Sequence, residues 1–116
     1  MKKIILMSAL LMASSTVLAQ VAGGFEGPRV GTAITVQQAL KKADDTHVIL
    51  QGHIVNSLGD EKYTFKDATG EVIVEIDNED WHGLKVTPED TVEIAGDVDK
   101  EMFKQTKIDV DSIRIQ

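Results

Sequence analysis

The 116-residue sequence contains no cysteine. That absence removes disulfide frameworks, thiolate metal sites, cysteine nucleophiles and thiol redox motifs together. Aromatic residues are scarce: one Trp, one Tyr and three Phe, too few for the row of stacking side chains that single-stranded nucleic acid asks for. Basic residues are outnumbered, 12 Lys and Arg against 19 Asp and Glu for a net charge of −7, a balance that repels polyanions. Nucleic acid is therefore not an expected partner. Catalytic signatures are missing as well. Beyond residue 19 the only serines are Ser57 and Ser112, and there is no G-x-S-x-G elbow, no H-E-x-x-H and no G-x-x-x-x-G-K phosphate cradle. No enzyme and no cofactor are expected. A chain of this length holds one small domain and buries too little to enclose a deep cavity, so a surface site is expected.

Long apolar runs are absent except at the start, where Lys2 and Lys3 precede an apolar stretch from Ile4 to Ala13. A basic n-region followed by a stretch too short to span a bilayer reads as a signal peptide over residues 1–19. Val17 and Ala19 suit the −3 and −1 positions, so cleavage leaves Gln20 first; cleavage after Ala22 is the alternative. The expected location is the periplasm, with nothing embedded in the membrane after cleavage. Loss of Lys2 and Lys3 makes the remainder still more acidic. Residues 20–34 carry Gly23, Gly24, Gly27, Pro28 and Gly31, the composition of a flexible tether.

Thr35 and Gln38 have capping-box spacing, and Val36, Ala39 and Leu40 share a helical stripe, so residues 35–43 are expected to form a short amphipathic helix. From His47 the period becomes two. Val48, Leu50 and Ile54 share one parity with Gly52, where an interior glycine marks a sharp corner. Gly59-Asp60 turns into residues 62–67, with Tyr63 and Phe65 inward. Ala68-Thr69-Gly70 turns into residues 71–77, with Val72, Val74 and Ile76 inward. A polar turn at residues 78–84 and the turn Thr87-Pro88-Glu89-Asp90 lead to a strand over residues 91–99. The last strand covers residues 107–115, where Ile108 and Val110 have the opposite parity to Ile113 and Ile115; a bulge near Ser112 reconciles them. Five short strands with a bent first one suit an all-β, five-stranded Greek-key OB-fold barrel with a short N-terminal helix over residues 35–116. A β-sandwich fragment is the alternative.

Several ordered segments carry a resemblance: Val48-Ile49-Leu50-Gln51-Gly52-His53-Ile54-Val55, Tyr63-Thr64-Phe65-Lys66-Asp67-Ala68-Thr69-Gly70, Asp80-Trp81-His82-Gly83 and Val86-Thr87-Pro88-Glu89-Asp90-Thr91-Val92-Glu93-Ile94. Together with Gly23-Gly24-Phe25-Glu26-Gly27-Pro28, they resemble the bacterial OB-fold (BOF) family, small exported stress-tolerance proteins of the YgiW/YdeI type. The resemblance implies a periplasmic OB-fold binding module for a small or cationic ligand, without catalytic residues to carry over. His82 departs from the family pattern, which tends to have Asn after the Trp.

OB barrels bind on the outer face of strands two and three, between flanking loops. With Tyr63 and Phe65 inward, strand two presents Lys62, Thr64 and Lys66, and no aromatic platform. Strand three presents Glu71, Ile73, Glu75 and Asp77, a carboxylate-rich rim suited to a cation or simply solvated. Trp81 either plugs the barrel mouth or offers a stacking surface. The expected ligand-binding residues are Lys62, Thr64, Lys66, Glu75, Asp77 and Trp81, and the expected partner is a small or cationic ligand or a cell-envelope component. An adaptor docking on a periplasmic protein partner is the alternative. No metal site is expected: His47 and His53 lie too far apart along one strand to share an ion, and Asp77, Glu79 and Asp80 lack the pattern of an EF-hand.

Overall fold

A computed structural model describes residues 32–116; the expected signal peptide and most of the glycine-rich tether lie outside the described residues. A capped helical turn, α1 (Val36–Ala39), precedes five strands: β1 (His47–Gly59), β2 (Lys62–Asp67), β3 (Gly70–Glu75), β4 (Val92–Asp99) and β5 (Lys107–Ile115), with a 3-10 turn at Asn78–Trp81 between β3 and β4. The strands close into a barrel in the order β1-β2-β3-β5-β4. All pairings are antiparallel except β3 with β5, where Ile73, Val74 and Glu75 run parallel to Lys107, Ile108 and Asp109. The OB-type barrel and its short helix are as expected.

Period-two patterning builds the core. Val48, Leu50 and Ile54 of β1, Val72 and Val74 of β3, and Val92, Ile94 and Val98 of β4 are buried around Phe65. β1 serves two partners, pairing with β4 from His47 to Gly52 and with β2 from His53 onward. Gly52 sits at that corner, where a Cβ would run into the Lys66 carbonyl oxygen and the Phe65 ring. Gly96 plays the same part between β4 and β5, facing the Asp109 carbonyl. Next to it Ala95 opposes Ser112 and Gly96 opposes Val110, so Asp111 is the extra residue of a bulge. The bulge lies one residue before the expected Ser112, and it turns Ile113 back onto the core.

Three expectations are corrected. The helix ends at Ala39, not residue 43: Lys41 and Lys42 make i→i−3 bonds to Gln38 and Ala39 that tighten the last turn, and Leu40 is left 38 % exposed instead of continuing the apolar stripe. The third strand ends at Glu75, so Asp77 leaves the sheet and stands at the N-cap of the 3-10 turn. Ile34, the last residue of the glycine-rich stretch, bridges to Leu50 and packs on the core.

The capping box forms as read, with Gln38 N–H donating to Thr35 Oγ1 at 3.1 Å and Thr35 N–H donating to Gln38 Oε1 at 3.0 Å. A second device anchors the helix to the barrel. Asp67, at the β2–β3 turn, accepts from Val36 N at 2.8 Å on one oxygen and from Thr69 N and Thr69 Oγ1, both at 2.7 Å, on the other. Burial alone would raise its carboxyl, but these bonds and one from Gly70 N–H hold it below the ordinary 3.8.

Candidate functional site

The outward rows of β2 and β3 face each other in register: Lys62 opposes Glu75, Thr64 opposes Ile73 and Lys66 opposes Glu71. Parallel pairing adds Lys107 beside Ile73. Lys107 Nζ reaches Glu75 at 2.8 Å and Asp99 at 2.9 Å, bridging β3, β5 and β4. Its donated hydrogen bonds, to Glu75 first and Asp99 next, push its ammonium well above the usual lysine range. The same bond pulls the Glu75 carboxyl below its ordinary 4.5. Glu75 is thus already neutralised by the barrel's own lysine.

The expected site residues do not converge on one place. Lys62 lines a groove of about 370 Å³ with Ile73, Glu101, Lys104, Gln105 and Lys107, between the β2–β3 face and the β4–β5 loop. Lys66 lines a separate groove of about 530 Å³, together with Gln51, Gly52, His53, Val55, Asp67, Ala68, Pro88 and Thr91. Thr64 lies between the two on the same strand. Trp81 is half-buried and meets Tyr63 edge-to-face, ring centroids 5.4 Å apart at 76°, with its apolar body packed on the core. Asp77 is exposed at the 3-10 turn. Partial desolvation and its acidic neighbours Glu61, Asp80 and Glu75 push its carboxyl up.

Sequence reasoning passed over two features. Met102 and Phe103, at the tip of the β4–β5 loop, are 80 % and 98 % exposed, and Phe103 has a φ of 66°. A bulky side chain in the left-handed region is strained backbone, and such strain gathers at functional loops. The expected face without aromatics is right for the strands, but the loop beside it carries one. The only signal was two large apolar residues within an otherwise polar stretch from Lys100 to Thr106. The second feature spans β1, β4 and β5, where His47, Asp97 and Asp111 bring a nitrogen and two carboxylate oxygens within 4.8 Å of one another. His53, by contrast, is held alone by donating Nδ1–H to the Asp90 carbonyl at 2.9 Å.

The barrel order, the bent first strand and the loop-flanked β2–β3 face are those of an OB fold. The family model for bacterial OB fold (BOF) proteins matches residues 12–115. The chain belongs to the bacterial OB-fold family. Among BOF relatives, YgiW of Escherichia coli K12 is 42 % identical over 127 aligned positions that cover 98 % of this chain and 97 % of YgiW. The calcium-regulated OB-fold protein CarO of Pseudomonas aeruginosa is 40 % identical, covering 81 % of both chains. The solved structure of E. coli YgiW superposes with a TM-score of 0.73 at 49 % identity, over 81 % of this chain and 99 % of YgiW. The p204 HINb domain shares the fold alone, at 12 % identity and a TM-score of 0.54 over 73 % of this chain and 47 % of that domain. Among the described residues, no helix is long and apolar enough to cross a membrane.

Proposed function

We propose that this BOF protein is an exported, periplasmic binding module of envelope stress tolerance, engaging a small ligand or cell-envelope component on the outer β2–β3 face. One observation carries the reading: the groove formed by Lys62, Ile73, Glu101, Lys104, Gln105 and Lys107 beside the β4–β5 loop, with Phe103 on that loop wholly exposed. Ile73 on the floor, Lys62 beside it and an exposed aromatic on the adjoining loop suit a ligand with a ring or sugar face and hydroxyl or acidic groups, Lys104 and Lys107 being already paired with Glu101 and with Glu75 and Asp99. A cationic ligand is better suited by the rim of Glu61, Asp77 and Asp80, where partial desolvation first and acidic neighbours next raise Asp77. The basic and apolar opening of the sequence supports export.

Amide chemical-shift titration with cell-wall fragments, a polyamine and a short single-stranded DNA tests this. Saturable shifts at Lys62, Ile73 and Lys104 on adding cell-wall fragments, weakened by Phe103→Ala, are expected. The same exposure of Met102 and Phe103 favours a second reading, an adaptor docking on a periplasmic protein through this loop. If no probe shifts the groove below millimolar concentration, the small-ligand reading falls and the adaptor reading takes its place.

A further inference from the structure

We propose that His47, Asp97 and Asp111 form a binding site for a borderline divalent transition cation, of which Zn²⁺ is the test case. The three residues come from three adjacent strands, β1, β4 and β5. His47 and Asp97 are directly opposed partners, and their Nδ1 and Oδ1 atoms are 3.0 Å apart. Asp111 reaches the pair because it is the inserted residue of the β5 bulge; it and Ser112 face outward in succession instead of alternating.

An ion pair between His47 and Asp97 would explain two of these side chains but not the third. Asp97 is also opposed across the strand by Asp109, and like charges placed directly opposite destabilise a sheet. Asp111 adds a further negative charge. The cations of the neighbouring strands are spent elsewhere, Lys107 on Glu75 and Asp99 and Arg114 on Glu93. Among the described residues, Asp111 has no ion pair or side-chain hydrogen bond of its own. A cation shared by the three would turn that repulsion into ligation.

The donor set selects the cation. One imidazole nitrogen and two carboxylate oxygens favour zinc, copper or nickel over calcium and magnesium, which prefer all-oxygen shells. The scaffold is rigid where it matters. Asp45 N–H donates to the Val98 carbonyl at 2.7 Å and Val98 N–H donates to the Thr46 carbonyl at 2.9 Å, fixing the start of β1 onto β4 beside His47. Ligands carried on paired strands hold their geometry before the ion arrives. The exposed side of the cluster leaves a coordination position for water.

Calorimetric titration of the full-length protein with Zn²⁺ is the test, repeated with Ca²⁺ and with the variants His47→Ala, Asp111→Asn and His53→Ala. One zinc per chain is expected, with affinity reduced by at least about tenfold when a ligand is lost in His47→Ala or Asp111→Asn and unchanged by His53→Ala. Calcium is expected to bind far more weakly. The His47 ring resonances should shift with zinc while those of His53 and His82 stay still. Absence of binding, binding that survives Asp111→Asn, or equal binding of calcium overturns the proposal. Should His47→Ala fail to fold, the exposed Asp111→Asn variant decides alone.

Discussion

Asp67 does more structural work than its place in a short turn suggests. Its carboxylate accepts from Val36, Thr69 and Gly70 backbone N–H groups and from the Thr69 hydroxyl, so one side chain stitches the β2–β3 turn to the helix start. Asp67→Ala leaves those donors without their acceptor and is expected to cost about 1–3 kcal/mol, read as a lower midpoint in urea unfolding at unchanged slope. Gly96 is a second single-residue constraint, since a methyl group there meets the Asp109 carbonyl and the Val110 backbone. Gly96→Ala should lower stability by about 1–3 kcal/mol through overpacking at the bulge, and amide shifts at Val110 and Asp111 should locate the strain.

At the scale of elements, the strands could be read from the sequence and their long-range meetings could not. Alternation of Val48, Leu50, Gly52 and Ile54, and of Val92, Ile94, Gly96 and Val98, marks the inward rows directly, and every one of these residues is buried. The parity change between Val110 and Ile113 announced the bulge. Local pattern holds no information about which strand lies beside which across the closure, so the meeting of Lys107 with Glu75 and Asp99 was hidden. Glu75 consequently looked free for a ligand. His47 was judged against His53 along one strand, while its real neighbours, Asp97 and Asp111, come from strands distant in sequence. The 3-10 turn was legible as a turn, whereas Trp81 could be read as a plug of the barrel mouth or as a stacking surface, and in the structure it packs on Tyr63 and the core. Trp81→Ala should cost about 2 kcal/mol, less than the ~3–5 kcal/mol of a fully buried Trp, and Trp81→Phe should recover most of it in thermal unfolding.

For the whole molecule, pH dependence follows from the carboxylates in opposite states. Glu75 and Asp67 sit below their ordinary values of 4.5 and 3.8, so their stabilisation is present above those values and lost as pH falls through the lower folded ones. Asp77 and Asp109 are raised, by partial desolvation first and by acidic neighbours next, so lowering the pH toward their ordinary 3.8 relieves the folded state. Stability is therefore expected to rise slightly on mild acidification and then drop below about pH 4, a profile that urea midpoints across pH 3–7 would trace. Lys107→Met should flatten the acid drop by removing Glu75's partner, at a cost of about 1–3 kcal/mol for the carboxylates left unpaired.

β5 is the strand that shuts the barrel, pairing with β4 along one edge and with β3, over only three parallel residue pairs, along the other. It is also the last of the described strands in sequence order. Until β5 docks, β4, β1, β2 and β3 form an open sheet with two bare edges. Closure thus waits on the docking of β5, and a chain cut short before Lys107 is expected to remain open and prone to pair with its neighbours.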